Sequence, residues 1–390
     1  MSTTQPTDLP VDPTLRRWAK RIQDAAAAGR ALRVSGAGTH GFLYDTDDPE
    51  SDVLDTREHS GVVSYEPTEL VVTVKTGTPL AELEAVLAEQ GQYLPFEPPH
   101  LGPGGTVGGM VAAGLSGPAR ASVGAVRDYV LGVELINGKG EHLTFGGQVM
   151  KNVAGYDVSR LMAGSRGRLG VLTQVSLKVL PRAPAEATLC FVATAAQALK
   201  QLASWRQQPL PLNASCWVHD DTGAVAQDLL FVRLRGAFAA VEAACQRMLA
   251  DLPGQRMDPA VAQPDWAACR DQTLPFFQAP ADHLGLWRLS VPPTWPVLDL
   301  PWPQLVEWHG GQRWLWAPTD MATTQTLRET AAQAGGHTSL FRAPKLFDHL
   351  PLRDSPVSAA VNSIEQRLLQ AFDPAGVFSQ QARHANPSAR

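Results

Sequence analysis

The sequence predicts an α+β protein of two domains, and three observations carry that expectation. Short strands and amphipathic helices interleave along both halves, a glycine-rich segment interrupts the first half, and Pro181 and Pro184 punctuate the chain near its middle. With 390 residues, 44% apolar and 18% charged, the chain is long enough for two or three domains with sizeable cores.

Leu15, Trp18, Ala19 and Ile22 recur at i, i+3, i+4 and i+7, so residues 13–28 are expected as an amphipathic helix that stops near Gly29. A strand at 32–34 leads into the loop Ser35-Gly36-Ala37-Gly38-Thr39-His40-Gly41. Asp- and Pro-rich residues 45–52 follow, where a Rossmann fingerprint needs a helix at once, and that reading fails. Strands are expected at 53–55, 62–65 and 70–75. Thr78 suits the N-cap and Pro79 the first turn of a helix that carries Leu80, Leu83 and Leu87 and ends at Gly91.

Residues 102–124 place eight glycines in twenty-three positions. Glycine costs backbone entropy, so this density argues against an ordinary packed helix or strand. It argues for main chain that closely approaches a phosphate or a flat ring. Tyr129–Ile136 and Glu141–Phe145 flank Asn137-Gly138-Lys139-Gly140 as a hairpin, and a helix near 157–163 and a strand at 171–180 complete this half. In the second half, helices are expected around 195–207, 237–251 and 320–335, and strands around 229–235, 285–291 and 313–317. Residues 381–390 are polar and read as a flexible tail.

A net charge of -5, with no basic block interleaved with aromatics, gives no bulk attraction to nucleic acid. Cys190, Cys216, Cys245 and Cys269 are far apart and lack metal-ligand spacing, so reduced thiols and no metal site are expected. Residues 1–13 lack the regions of a signal peptide, and no apolar run approaches the ~18 residues of a membrane span. The expectation is a cytoplasmic chain that reaches a membrane only through partners.

The two glycine loops, about 65 residues apart, are able to converge on one diphosphate through backbone N–H groups. Beyond that spacing, Ser35-Gly36-Ala37-Gly38-Thr39, then Gly104-Gly105-Thr106-Val107-Gly108-Gly109, then Arg127-Asp128-Tyr129-Val130-Leu131-Gly132-Val133-Glu134, then residues 151–157 and 164–173 occur in register over 30–182. This series resembles the vanillyl-alcohol oxidase (PCMH-type) flavoprotein family. Residues 286–292, 307–314, 335–337 and 372–378 extend the resemblance to the E-type branch of bacterial glycolate oxidases.

The resemblance implies a PCMH-type FAD-binding domain of two α+β subdomains over 1–183 and an α+β cap over 184–380. It also implies a complex with a D-type catalytic flavin chain and an F-type iron-sulfur chain that oxidises glycolate and feeds the respiratory chain. Carried over by position, Gly36, Ala37, Gly38, Thr39, His40, Gly104, Gly105 and Thr106 would line the pyrophosphate. Gly109, Ser116, Gly117, Ser122 and Gly124 would admit the ribityl chain and ring, and Gly170 and Val171 would meet the adenine or flavin edge. Thr39 stands where some relatives carry the histidine that links flavin covalently, so the resemblance implies non-covalent FAD.

Oxidation of a 2-hydroxy acid also needs a cation for the carboxylate and a base for the hydroxyl proton. Arg288 and Arg313 are the candidate clamps and His309 and His337 the candidate bases, although both arginines lie in Trp-rich strands where stacking or structural bridging is the other role. Arg127 with Asp128 is expected as a loop-fixing ion pair. Lys151, Tyr156 and Asp157 are expected either near the cofactor or at a helix start. The D-type histidine-rich metal constellation has no counterpart here, which favours a flavin-holding subunit over a self-sufficient hydroxy-acid dehydrogenase or a purely structural flavin fold.

Overall fold

The computed structural model describes residues 12–43, 52–147, 157–346 and 353–378. Lys151, Tyr156 and the tail at 381–390 lie outside the described residues. The chain divides into two units. The first draws its described residues from 12–115, 125–182 and 357–378, and the second from 116–124 and 183–356. Two expected boundaries shift accordingly: residues 357–378, assigned by sequence to a cap over 184–380, belong with the first unit, and Ser116–Gly124 belong with the second.

In the first unit, helix Pro13–Ala27 starts where the Asp12 carboxylate accepts from the N–H groups of Thr14 and Leu15. Its apolar stripe packs Leu15, Trp18 and Ile22 against Leu32, Leu54, Ile136, Val171, Val377 and Phe378. Leu32–Ser35 pairs in parallel with Asp52–Asp55. Beside this small layer stands an antiparallel sheet in the order Val62–Glu66, Val71–Lys75, Val171–Lys178, Val130–Ile136, His142–Gly146. Its apolar face packs on Leu83 and Leu87 of helix Leu80–Glu89 and on Met110 and Val111.

Two local expectations are corrected. Pro79, not Thr78, occupies the N-cap of helix Leu80–Glu89. The Thr78 hydroxyl instead accepts from Gly61 N and donates to Lys75 O, closing the turn before the helix. The glycine segment also contains a helix after all, Val107–Ala113, capped by Thr106 and ended by left-handed Gly114. Glycine is needed inside it because a Cβ at Gly108 would stand 2.8 Å from the Thr76 Cβ. Close packing on the neighbouring turn outweighs glycine's poor helix propensity here.

The second unit is a wholly antiparallel sheet. Its order is Gly254–Arg256, Ala185–Val192, Gln227–Gly236, Leu212–Asp220, Gln304–Glu307, Gln312–Ala317, Gly285–Ser290, His337–Arg342. Helices Ala195–Trp205 and Phe238–Asp251 bury Leu199, Leu202, Trp205, Val241 and Met248 against one part of it. Helix Met321–Gln333 packs Leu327 and Ala331 against Trp287, Leu289 and Leu315 of another.

Candidate functional site

Along Leu32–Ser35, Leu32 and Val34 face the helix and its core, so the alternation of a strand turns Arg33 and Ser35 to the other side. The chain then enters the first glycine loop. Gly36 has no room for a side chain, since a Cβ there would lie 2.4 Å from the Thr106 Oγ1. Gly38 takes a left-handed φ of 72°, and a Cβ on it would meet nothing within 4 Å. One glycine is therefore required by packing and the other by backbone conformation beside open space.

The second loop lies against the first. A Cβ at Gly104 would stand 3.6 Å from that of Ala37, one at Gly105 would stand 3.4 Å from the Thr39 Oγ1, and Thr106 accepts from Gly109 N to begin its helix. Together the loops border a cleft of about 940 Å³ of empty space, counted to its open side. Gly36, Ala37, Gly38, Thr39, His40, Thr106, Gly109 and Gly170 all line it. The structure thus brings these loop residues together, while Gly104 and Gly105 pack on the first loop and are not among the lining residues, and Val171 is buried in the core behind the small parallel layer.

Sequence reasoning missed Arg33, Thr56, Thr76, Gly108, Arg166 and Gly167, which also line the cleft. Arg166 and Gly167 lay within the recognised 164–173 motif. Arg33 carried a subtler sign, a charged residue in a strand whose neighbours are apolar. Among the described residues, Arg33 and Arg166 are the charged ones that line the cleft, and no carboxylate is among those that border it. Burial lowers the His40 pKa to about 4, so its imidazole is neutral at pH 7 and hydrogen-bonds the Thr39 hydroxyl at 3.2 Å. Main-chain amides, hydroxyls and two guanidiniums suit a dinucleotide carrying a diphosphate. The open space beside Gly38 leaves room for its close approach.

Ser116, Gly117, Ser122 and Gly124 belong to the second unit and do not line this cleft. Gly117 and Ser122 neighbour Trp308 and His309, consecutive residues with φ of 54° and 55°. Trp308 Nε1 donates to Gly117 O, and the Arg120 guanidinium lies 4.4 Å from the Trp308 ring centre. His309 N donates to Ser215 Oγ, while its Nδ1 and Nε2 lie 2.9 Å and 3.0 Å from the hydroxyls of Ser215 and Ser122. Side-chain bonds on both residues hold a backbone that L-residues rarely adopt.

Two substrate candidates are corrected by this geometry. His309 is buried with both ring nitrogens engaged by hydroxyls, so neither is available as a base for a substrate proton. Arg313 is fully buried, and it donates to the carbonyls of Gly310, Trp295 and Pro296 in place of a carboxylate. Arg288 and His337 are brought to neighbouring registers on paired strands, with Arg288 opposite Ser339 and His337 opposite Ser290; the Arg288 guanidinium stands 5.5 Å from the Phe341 ring centre. Asp128 accepts from Ala125 N, fixing a backbone turn by that bond and not by pairing with Arg127, and Asp157 caps the helix that begins at Val158.

Burial lowers the His309 pKa to about 4. Its ordinary value of about 6.5 returns on unfolding, so below pH 6.5 the unfolded chain binds a proton that the folded one refuses. Stability therefore falls as pH drops from about 6.5 towards 4, by about 2 kcal/mol between pH 7 and 5 for this group. Urea unfolding of wild type and His309→Asn at both pH values checks this: the variant, whose Asn tolerates the left-handed backbone, is expected to show the smaller pH dependence. Equal slopes would remove His309 as the cause.

Residues 16–146 match the family described as an FAD binding domain. The chain is 42% identical to glycolate oxidase subunit GlcE of Escherichia coli (strain K12), over 92% of this chain and 94% of that one. It is 30% identical to glycolate oxidase subunit GlcD of Bacillus subtilis (strain 168), over 35% of this chain and 29% of that one. Among solved structures, an alkyldihydroxyacetonephosphate synthase superposes with a TM-score of 0.64 at 15% identity, covering 92% of this chain and 74% of the other. That likeness concerns the fold alone.

Proposed function

Since the chain belongs to the FAD-binding family of glycolate oxidase subunit GlcE, we propose that it is the FAD-binding subunit of a multi-subunit glycolate oxidase that converts glycolate to glyoxylate. The observation that carries this reading is the extent of the likeness. Similarity to GlcE runs through 92% of the chain and so through both units, whereas similarity to GlcD covers 35%.

FAD, when bound, supplies the hydride acceptor. The chain's own part is to hold it without a covalent link. The loop at Gly36–His40 offers main-chain N–H groups and the Thr39 hydroxyl to the diphosphate, Thr106 of the second loop borders the same cleft, and neutral His40 offers a hydrogen bond without adding charge. Substrate chemistry falls mainly to a GlcD-like partner, and electrons leave through an iron-sulfur partner towards the respiratory chain. The structural commitments of Arg313 and His309 support this division of labour. No helix among the described residues is long and apolar enough to cross a membrane, and membrane attachment is assigned to the partners.

The test is an anaerobic visible spectrum of the purified chain before and after glycolate. The expected result is a yellow protein that stays oxidised and releases its colour on acid precipitation. Bleaching by glycolate alone would overturn the division of labour, and a chain that takes up no FAD would overturn the reading itself.

A further inference from the structure

Arg33 is a charged residue on a strand that otherwise serves packing, and it borders the cleft three residues before the first glycine loop. Its Nε is buried and has no hydrogen-bond partner. Leaving a buried guanidinium N–H without an acceptor is costly, so such a group in a site wall marks the place of an acceptor the protein itself does not supply. Among the described residues, no carboxylate borders the cleft to provide one. The nearby glycine loop offers main-chain dipoles, which favour an anion but carry no full charge.

We propose that Arg33 is the charge contact for the diphosphate of the bound dinucleotide, and that it thereby sets the preference of this site for FAD over flavins that lack a diphosphate. This inference rests on the FAD-binding reading of the same cleft. Guanidinium suits the role because its planar fork donates to two phosphate oxygens at once and remains charged at any physiological pH. The strand holds its Cα in a fixed register: Arg33 pairs with Val53, and Leu32 and Val34 on either side are seated against the core. The contact is therefore built on a rigid element instead of the loop it serves.

The full-length chain is stripped of flavin and titrated with FAD, ADP, adenosine and riboflavin, for wild type, Arg33→Lys and Arg33→Met, at two salt concentrations. Arg33→Met keeps the length and apolar stem of the side chain, and circular dichroism of the apoprotein verifies its fold. Losing one charge-assisted contact is expected to weaken FAD and ADP by about 10- to 100-fold, with adenosine and riboflavin unchanged. Arg33→Lys is expected to recover part of the loss, and the salt dependence of FAD affinity should be shallower in Arg33→Met.

A wild type that binds no FAD overturns both the functional reading and this inference. Tight FAD binding that Arg33→Met leaves unaltered overturns the inference alone, as would be the case if solvent water completes the Nε. An equal loss for adenosine would set Arg33 against the base and also overturn the charge contact.

Discussion

Gly36→Ala is expected to yield a protein purified without flavin and destabilised by about 2 kcal/mol, although one methyl group is all that it adds. The new Cβ would stand 2.4 Å from the Thr106 Oγ1 and 3.0 Å from its Cγ2. Thr106 is buried, and its hydroxyl caps helix Val107–Ala113 by accepting from Gly109 N. Either the first loop moves away from the second or Thr106 rotates and abandons its cap, a loss of about 1 kcal/mol by itself. Both routes separate the two walls of the cleft. Flavin per chain after gel filtration and the urea midpoint read the two effects. Thr106→Ala removes the atoms that clash, so the double variant should recover stability relative to the sum of the single ones. Full flavin occupancy in Gly36→Ala would show that the loops need no such close contact.

Asp373→Ala is expected to cost the first unit about 3 kcal/mol or more. Asp373 is buried, and its two carboxylate oxygens accept from Val377 N and Phe378 N, each at 2.8 Å. Truncation leaves two buried N–H groups unpaired at about 1–3 kcal/mol each. It also loosens a junction where Gly138 N donates to Phe372 O and Leu32 N donates to Val377 O. Chemical denaturation followed by circular dichroism measures the loss, and a change below about 0.5 kcal/mol would mean that water replaces the carboxylate. Gly138→Ala should act in the same direction, because its Cβ would meet the Asp373 Oδ1 at 2.2 Å.

Much of the first unit was legible in the sequence because its signals are local. The i, i+3, i+4, i+7 stripe of helix Pro13–Ala27 and the Asn137–Gly140 turn depend on neighbours a few residues away. The second unit was harder to read. Strands Ala185–Val192 and Leu212–Asp220 escaped detection because they are largely buried and do not alternate cleanly. Helix Pro259–Asp271 was hidden by Pro264 in its interior, a residue that reads as a break. The glycine loops were visible as composition, and their convergence on one cleft agrees with their spacing. Arg313 and His309 were misjudged for a different reason. Residue type advertises what a side chain is able to bind, but only the fold reveals that carbonyls and hydroxyls of the protein already occupy it.

The return of residues 357–378 to the first unit has a bearing on the order in which the protein is made. Synthesis runs from the N-terminus, and domains tend to form as their residues emerge. The second unit has every described residue it needs once position 356 has been translated. The first, begun earlier, still lacks Val377 and Phe378, which fill the core behind the first glycine loop. The later-coded unit is thus the first that is able to mature on the ribosome, and the flavin-holding unit is the last to close. A fragment ending at 182 would present a cofactor cleft whose rear wall has yet to be built.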